Sequence, residues 1–287
     1  MARLCALLRV NRGSYYRATR TVGEAEPLAV RQSKRNDRTA LRDLIEQIVL
    51  AYPGYGYRRV THQLHRDGFG VNHKRVRRLM QEESLLCQLK RRWVKTTQSE
   101  HGHRIYPNLL KDAGWQRLTG INQAWAGDIT YIRLPLEFLY LAVLLDAYSR
   151  RVVGWALSRR IDSELVITAL ERALAEREPM AGWIHHSDRG VQYACGEYVK
   201  RLEAAGARMS MSAKGTPREN AQAERFFRTL KEEEVYLHEY ETYEESEQSI
   251  GQFIEAVYNE KRLHSALGYR SPTEFEQLCA TGLLLEK

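Results

Sequence analysis

One segment in the second half of the chain is apolar without interruption. Phe138–Leu145 places eight hydrophobic residues in a row. A strand with one solvated face alternates apolar and polar side chains, whereas an unbroken apolar run of this length is typical of a strand buried on both faces. Helices must then cover both faces of the sheet that contains it. The run therefore predicts a central strand in an α/β domain.

The segments around this run predict the rest of the sheet. Trp125–Ile132 has a strand-like alternation, and Val152–Trp155 follows the turn after the apolar run. Ser163–Arg177 carries apolar residues at helical spacing, and Trp183–His186 predicts a strand that leaves the core. Further helices are predicted at about 196–205, from a start between 216 and 220, at 243–259 and from Pro272, with a short strand at 209–211. This order indicates a mixed sheet flanked by helices.

The predicted helix after residue 216 has a start signal and two distinct faces. Thr216–Glu219 combines a capping box with proline at the first helical position. Residues four and seven apart share a helix face, so Glu224, Arg228 and Lys231 form one stripe. The neighbouring stripe is apolar and consists of Ala223, Phe227 and Leu230. The helix can therefore pack on the sheet and still present a carboxylate with two cations behind it.

Three carboxylates occupy informative positions. Asp128 lies within a predicted strand, where acidic residues are depleted. Asp188 follows another strand, and Glu224 comes after 35 intervening residues, with Lys231 seven positions further on. Taken singly, each carboxylate is best explained as a solvated or ion-paired side chain. Taken together, the three predict a site for divalent cations, which favour oxygen ligands.

Four motifs extend this spacing into a family resemblance. They are Trp125–Ile132, His186–Tyr193, Asn220–Glu224 and Tyr258–Pro272. With the carboxylate spacing, they resemble the DDE transposases and retroviral-type integrases, and more closely the second-frame (OrfB) product of the insertion-sequence-three family. The resemblance covers nearly the whole chain. It implies an α/β, ribonuclease-H-like core preceded by an all-α helix-turn-helix domain.

The resemblance also implies a reaction and its residues. Asp128, Asp188 and Glu224 would be both catalytic residues and ligands of two Mg²⁺ ions, with Mn²⁺ as a substitute. The enzyme would nick the ends of an insertion element and join the freed 3′-hydroxyl to another phosphodiester. Lys231 and Arg228 would hold phosphate. Asn220 would orient phosphate or carboxylate, although capping of the helix explains it equally well.

Partners follow from the same resemblance. They are double-stranded DNA, namely the terminal inverted repeats and the target, and further copies of the chain in a synaptic complex. A first-frame (OrfA) protein is a third expected partner, because family members are commonly made as fusions with it. The sequence begins at Met1 without that protein's end-binding segment or leucine zipper, which leaves open whether the chain acts alone. Glu219 stands where the family often has Asp, and we expect little consequence.

The front of the chain is strongly basic. Residues 1–120 contain 24 Lys and Arg against 10 Asp and Glu, while the remainder contains 20 against 26. A basic segment of this size suits nucleic acid. We divide the chain into a helical segment and linker (1–38), a helix-turn-helix domain (39–88), a basic linker (89–120) and the catalytic core (121–287). Residues 1–20 fit a helix-turn-helix remnant and a frayed terminus equally well.

Three short helices are predicted between Leu41 and Leu86. Asn72 is a good N-cap for the third, whose apolar face is Val76, Leu79 and Met80. Its outward basic residues are Lys74, Arg75, Arg77 and Arg78. The pattern fits a helix-turn-helix that reads the major groove, and also a three-helix bundle that binds only phosphates.

Other features limit where the protein acts. Cys5, Cys87, Cys195 and Cys279 have no paired spacing, which argues against disulfides and a zinc knuckle. The chain has no N-terminal signal pattern, and Phe138–Leu145 is too short to span a bilayer. We therefore expect no membrane role and a location in the bacterial cytoplasm, at the nucleoid.

Rival interpretations remain for several residues and for the function. Asp146 ends a strand and competes for the carboxylate cluster, although a turn residue is the simpler explanation. His185, His186 and Gln192 also lie near Asp188. Arg262, His264 and Tyr269 suggest a tyrosine recombinase, but they crowd into one short segment. The non-enzymatic alternative is a DNA-binding regulatory or architectural protein with an inactive core.

Overall fold

The computed structural model describes residues 28–87, 104–111, 114–213 and 216–282. The predictions for residues 1–20 and for most of the basic linker lie outside these ranges. Within the described part of the chain, no helix is both long and apolar enough to cross a membrane.

The described residues 28–87 of the front part form three helices. Helix α1 spans Leu28–Ala51, α2 spans Tyr57–Arg66 and α3 spans His73–Glu82. Helix α1 thus includes residues 28–38, for which the mixed composition predicted a linker. The predicted cap of α3 is confirmed, because the Asn72 side chain accepts a hydrogen bond of 2.8 Å from the backbone N–H of Lys74. Apolar residues of all three helices form one buried core.

The remainder is built on a five-stranded mixed sheet. The strands are β1 (Ala124–Arg133), β2 (Phe138–Asp146), β3 (Val152–Ser158), β4 (Ile184–Ser187) and β5 (Arg208–Met211). Their order is β3-β2-β1-β4-β5. The first three pair antiparallel, whereas β1 with β4 and β4 with β5 pair parallel. This topology is the ribonuclease-H-like fold that the resemblance implies.

Helices cover both faces of the sheet, as the apolar run in β2 predicts. Leu144 packs in a core with α4 (Ser163–Glu176) and α5 (Gly196–Ala204). Its neighbours Val143 and Leu145 point the other way, into a second core with α6 (Ala221–Leu230) and α7 (Tyr243–Gln252). Helix α7 continues in π-helical turns to Asn259, and α8 spans Pro272–Ala280.

Gly154 on β3 sets how closely α4 approaches the sheet. A Cβ there would overlap the backbone oxygen of Ala169 and the methyl group of Ala173. We expect Gly154→Ala to lower the free energy of unfolding by about 1–3 kcal/mol, the range for overpacking. Gly56→Ala is the matched control, because a Cβ there meets nothing within 4 Å. Urea unfolding curves measure both, and equal midpoints would contradict the expectation.

Candidate active site

Asp128 lies in the middle of β1, opposite Val143 of β2. Its Oδ1 accepts a hydrogen bond of 2.9 Å from the N–H of Ile129. Burial raises the pKa of Asp128 well above its usual value, and the charges of Asp188 and Glu224 raise it further. The Ile129 N–H and the charge of Lys231 act in the opposite direction. The four ionisable groups therefore lie within one electrostatic neighbourhood.

The parallel register places Asp188 beside Asp128. Ala126 of β1 and His186 of β4 form the last pair of this register; Asp128 follows two positions later within β1, and Asp188 follows one residue past the end of β4. Parallel neighbours are about 4.8 Å apart, so the two aspartates emerge side by side. The Asp188 Oδ1 also accepts a hydrogen bond of 2.8 Å from the N–H of Gly190. A Cβ at Gly190 would lie 2.9 Å from this oxygen, so a larger residue there would displace the Asp188 carboxylate.

Glu224 occupies the first turn of α6 and is exposed. Its helix is fixed by Phe226 and Leu230, which pack in the same apolar core as Val143, the neighbour of Asp128 on β2. Partial burial raises the pKa of the Glu224 carboxyl. The apolar stripe predicted for this helix is confirmed, with Phe226 as an additional member. The predicted arrangement of a packed helix with an outward carboxylate therefore holds.

Lys231 follows α6 and lies over β1. Its Nζ is 4.4 Å from the centre of the Tyr131 ring. Burial lowers the pKa of Lys231, while the negative charge of Asp128 raises it. Arg228, one turn earlier, is exposed. Lys231 therefore belongs to the carboxylate neighbourhood, and Arg228 lies at its solvent side on the same helix.

The donor chemistry of the site fits a hard divalent cation. Asp128 and Asp188 are adjacent like charges, and such pairs favour a bound cation over two free anions. Among the described residues, however, no group of three acidic, histidine or cysteine side chains already stands at metal-binding distance. Glu224 is the exposed member of the three carboxylates. The three carboxylates therefore fit a metal by their chemistry, but in this arrangement they do not all point at one position.

The start of α6 differs from the predicted capping box. Pro217–Asn220 forms a 3-10 turn, and the α-helix begins at Ala221. Thr216 donates its hydroxyl proton to the Ala213 carbonyl instead of capping the helix. Glu219 accepts hydrogen bonds from the Ala213 N–H at 2.6 Å and from the Asn108 side chain at 2.9 Å. The preceding loop thus has its own donor to satisfy, and the Glu219 carboxylate accepts from it.

Asn220 has a different role from the cap considered for it. Its buried Nδ2 donates a hydrogen bond of 3.1 Å to the backbone oxygen of Gly127, and its side chain caps nothing. The bond joins the start of α6 to the residue before Asp128. Among the described residues, the Asn220 Oδ1 has no hydrogen-bond partner. Asn220 therefore fixes the position of α6 relative to β1.

Of the competing residues, Asp146 is accounted for by structure. Its carboxylate accepts hydrogen bonds from three backbone N–H groups, those of Asn122, Tyr148 and Ser149, at 2.6–2.9 Å. The bonds from Tyr148 and Ser149 hold the turn after β2, and the bond from Asn122 ties this turn to the segment before β1. Asp146 is therefore a turn residue, as the simpler explanation stated.

The two histidines before Asp188 are also structural. The Nε2 of His185 lies 2.8 Å from the Tyr198 hydroxyl, and the Nδ1 of His186 lies 2.8 Å from the Ser210 hydroxyl. Burial lowers the pKa of His185 to about 3 and that of His186 to about 4. Both rings are thus neutral near pH 7. Gln192 donates a hydrogen bond to the Ile161 carbonyl.

Sequence reasoning missed Tyr193. Its ring is buried, and a Cβ on Gly127 would come within 3.3 Å of it. Burial raises the pKa of the Tyr193 hydroxyl, and Asp128 and Asp188 raise it further. The Tyr193 hydroxyl thus lies within the electrostatic neighbourhood of both aspartates. Its place in the His186–Tyr193 motif was the available signal.

The residues suggestive of a tyrosine recombinase do not form a site. Arg262 is buried against Glu233, with both guanidinium–carboxylate hydrogen bonds at 2.6–2.7 Å. The ring of Tyr269 stacks on His62 of the front part, with centroids 3.6 Å apart. His264 is buried edge-on to Tyr258. Each is committed to packing.

The basic residues of α3 are mostly exposed, although Arg78 lies 3.9 Å from the Glu82 carboxylate. Lys74, Arg77 and Arg78 are exposed. Arg75 is half-buried and pairs with Asp37 of α1 at 2.9 Å. Arg77 also lies over the Tyr57 ring, 5.6 Å from its centre. Helix α3 thus presents three exposed cations on one short element.

Comparisons with known proteins agree with both parts of the fold. An HTH-like domain matches residues 35–93, and two integrase core domain models match residues 119–217 and 205–272. The transposase for insertion sequence element IS904 of Lactococcus lactis subsp. lactis (strain IL1403) is 38% identical over 86% of this chain and 98% of its own length.

Two further relatives match nearly the whole chain. The insertion element IS600 uncharacterized 31 kDa protein of Shigella sonnei is 36% identical, over 96% of this chain and 97% of its own length. Transposase InsF for insertion sequence IS3A of Escherichia coli (strain K12) is 34% identical, over 95% and 92%. Since the similarity covers almost all of each protein, the chain belongs to the insertion-sequence transposases with an integrase core and is a DDE-type DNA transposase.

Proposed function

We propose that Asp128, Asp188 and Glu224 are the catalytic carboxylates of this transposase and the ligands of its metal. The observation that carries the proposal is the position of both aspartates just after the last pair of β1 with β4, where their charges act on each other. Glu224 contributes the third charge from α6. Neighbouring like charges are costly unless a cation or a proton compensates them. The repulsion between these carboxylates does not stabilise the fold, which favours a functional reason for their proximity.

The metal would be Mg²⁺, with Mn²⁺ as a substitute, and two ions fit the reaction. When bound, such a pair activates an attacking oxygen and stabilises a leaving one at phosphorus. The oxygen-only donor set supports this choice. Asn220 would keep α6 in place through its bond to Gly127 while Glu224 closes on the aspartates.

The reaction proceeds in two displacements. Water breaks a phosphodiester at the element end and leaves a 3′-hydroxyl. This hydroxyl attacks a second phosphodiester, where one phosphorus–oxygen bond forms and one breaks, so the strands are joined without net loss of a bond. Lys231, which lies over the Tyr131 ring and feels the charge of Asp128, would bind a phosphate oxygen next to the reacting phosphorus. Arg228 would hold the strand further out.

Helix α3 would hold the DNA through Lys74, Arg77 and Arg78, with Arg75 less available because of its pair with Asp37. We expect Lys74→Ala and Arg78→Ala each to reduce the slope of log affinity against log salt by about 0.9, the effect of one lost phosphate contact. Lys200→Ala, a lysine of α5 far from this helix in the sequence, is the control. Salt titrations of DNA binding measure the slopes, and slopes equal to the control would contradict this surface.

Assembly and location form the remaining part of the proposal. Two element ends must meet for transposition, so a homo-oligomeric synaptic complex is the expected active form. A first-frame protein would supply additional end recognition. The site of action would be the bacterial chromosome in the nucleoid. The strongly basic front part supports a long contact with DNA.

The test of the function is nicking of linear DNA that carries the inverted repeats flanking the coding region. The full chain should nick these ends with Mg²⁺ or Mn²⁺ and not with a chelator. A DNA-binding protein with an inactive core would bind the same DNA and leave both strands intact in every metal.

A further inference from the structure

The motif Tyr258–Pro272 contributes nothing to the carboxylate site, and the structure gives it a different neighbour. Leu263 is only 1% exposed and packs in the core of the front part, with Ile45, Val60 and Leu64. The core of the three helices is therefore completed by a side chain from near the other end of the chain. A domain on a loose tether would not share its core in this way.

Polar contacts at the centre of this junction are buried as well. The backbone N–H of Leu263 donates a hydrogen bond of 2.8 Å to the hydroxyl of Tyr55, which is fully buried. Next to it, Arg262 and Glu233 form their ion pair with side chains only 4% and 7% exposed. Gly54 lies against Glu233 so closely that a Cβ would overlap its carboxylate. The turn between α1 and α2 can therefore pack against the Arg262–Glu233 ion pair only because position 54 is glycine.

The rim of the junction is held by specific pairs. His62 of α2 stacks on Tyr269 with an interplanar angle of 15°. Arg66, at the end of α2, donates two hydrogen bonds to the Glu274 carboxylate of α8, at 2.9 and 3.0 Å. An apolar centre with paired polar groups at its rim is the usual anatomy of a specific interface.

We propose that residues 261–271, together with Glu233 and Glu274, form a docking site for this chain's own helix-turn-helix domain. Docking fixes α3 relative to the carboxylates, so the enzyme cuts at a set distance from the DNA that α3 contacts. The inference rests on the proposed function. It makes Gly54, His62, Arg66 and their partners positioning residues, which touch neither DNA nor the reacting atoms.

Two variants undock the domain by different routes. Arg66→Glu sets a negative charge against Glu274, and the swap with Glu274→Arg restores an opposite pair. Gly54→Ala pushes on Glu233, which is not a member of the core of the three helices. The matched controls are Arg201→Glu, which breaks an exposed pair with Glu171 at 2.9 Å, and Gly56→Ala. Hydrogen exchange at the Leu263 amide reports docking independently of activity.

The decisive measurement is where the full chain nicks the element ends. We expect Arg66→Glu and Gly54→Ala to speed exchange at Leu263, to reduce nicking at the wild-type position about 10-fold, and to spread nicks to neighbouring positions. The charge swap should restore both position and rate, and salt-dependent DNA affinity should stay at the wild-type value throughout. A purely structural junction would change total activity without moving the nicks.

The outcomes separate the two proposals. One outcome is that variants with faster exchange at Leu263 still nick at the same position and rate as the wild-type chain. That result overturns the docking role and leaves the transposase site intact. The docking role is also overturned if neither variant speeds that exchange, because the contacts then do not hold the domain. A wild-type chain that nicks in no metal overturns the proposed site itself.

Discussion

Asp188→Asn is expected to reduce metal-dependent nicking and joining by more than about 100-fold, because loss of a ligand should exceed the 10–100-fold cost of losing a group that merely supports one. Asp128→Asn and Glu224→Gln should behave alike. Each change keeps the size of the side chain and removes one negative charge and one oxygen. Gel assays of strand nicking in Mg²⁺ measure the loss.

Measurements of the free energy of unfolding distinguish loss of a metal ligand from loss of the folded structure. Burial and two acidic neighbours make the ionised form of Asp128 unfavourable in the folded protein. Asp128→Asn should therefore leave the free energy of unfolding unchanged or raise it. Glu203→Gln removes an exposed carboxylate of α5 and should retain wild-type activity. Strand transfer that persists in Asp188→Asn or Glu224→Gln with Mg²⁺ would contradict the assignment.

The sequence predicts those helices and strands whose apolar residues recur at a regular spacing. The apolar run in β2 correctly indicated burial on both faces, since Leu144 and its neighbours enter separate cores. Alternation located β1 and the apolar stripe located α6. Spacing and family resemblance then singled out the three carboxylates, although only strand register could show that Asp128 and Asp188 emerge side by side.

Contacts between distant segments could not be predicted in the same way. Asn220 was a plausible cap by its position, yet its partner is Gly127, a strand residue far away in the sequence. Thr216–Glu219 matched a capping box, but the loop at Ala213 competes for the Glu219 carboxylate. Leu263 lies in a segment with no sustained periodicity, and only the fold brings it to the front domain. Local pattern carries no information about such partners.

The ion pair at the domain junction gives the second large expected effect. Arg262→Met should lower the free energy of unfolding by about 3–5 kcal/mol, because it leaves the buried Glu233 carboxylate without its partner. The thioether side chain fills most of the space of the lost aliphatic stem, so the effect reports mainly on charge. Urea unfolding followed by circular dichroism measures it.

The double variant separates the charge from the packing. Arg262→Met with Glu233→Met replaces both ions by apolar groups and should recover most of the lost stability, since a buried pair often contributes little over apolar residues of similar size. Arg201→Met, at an exposed pair, should cost less than about 1 kcal/mol. If Arg262→Met alone were as mild as this control, the carboxylate would have to reach water, and the junction would open far more readily than its buried contacts indicate.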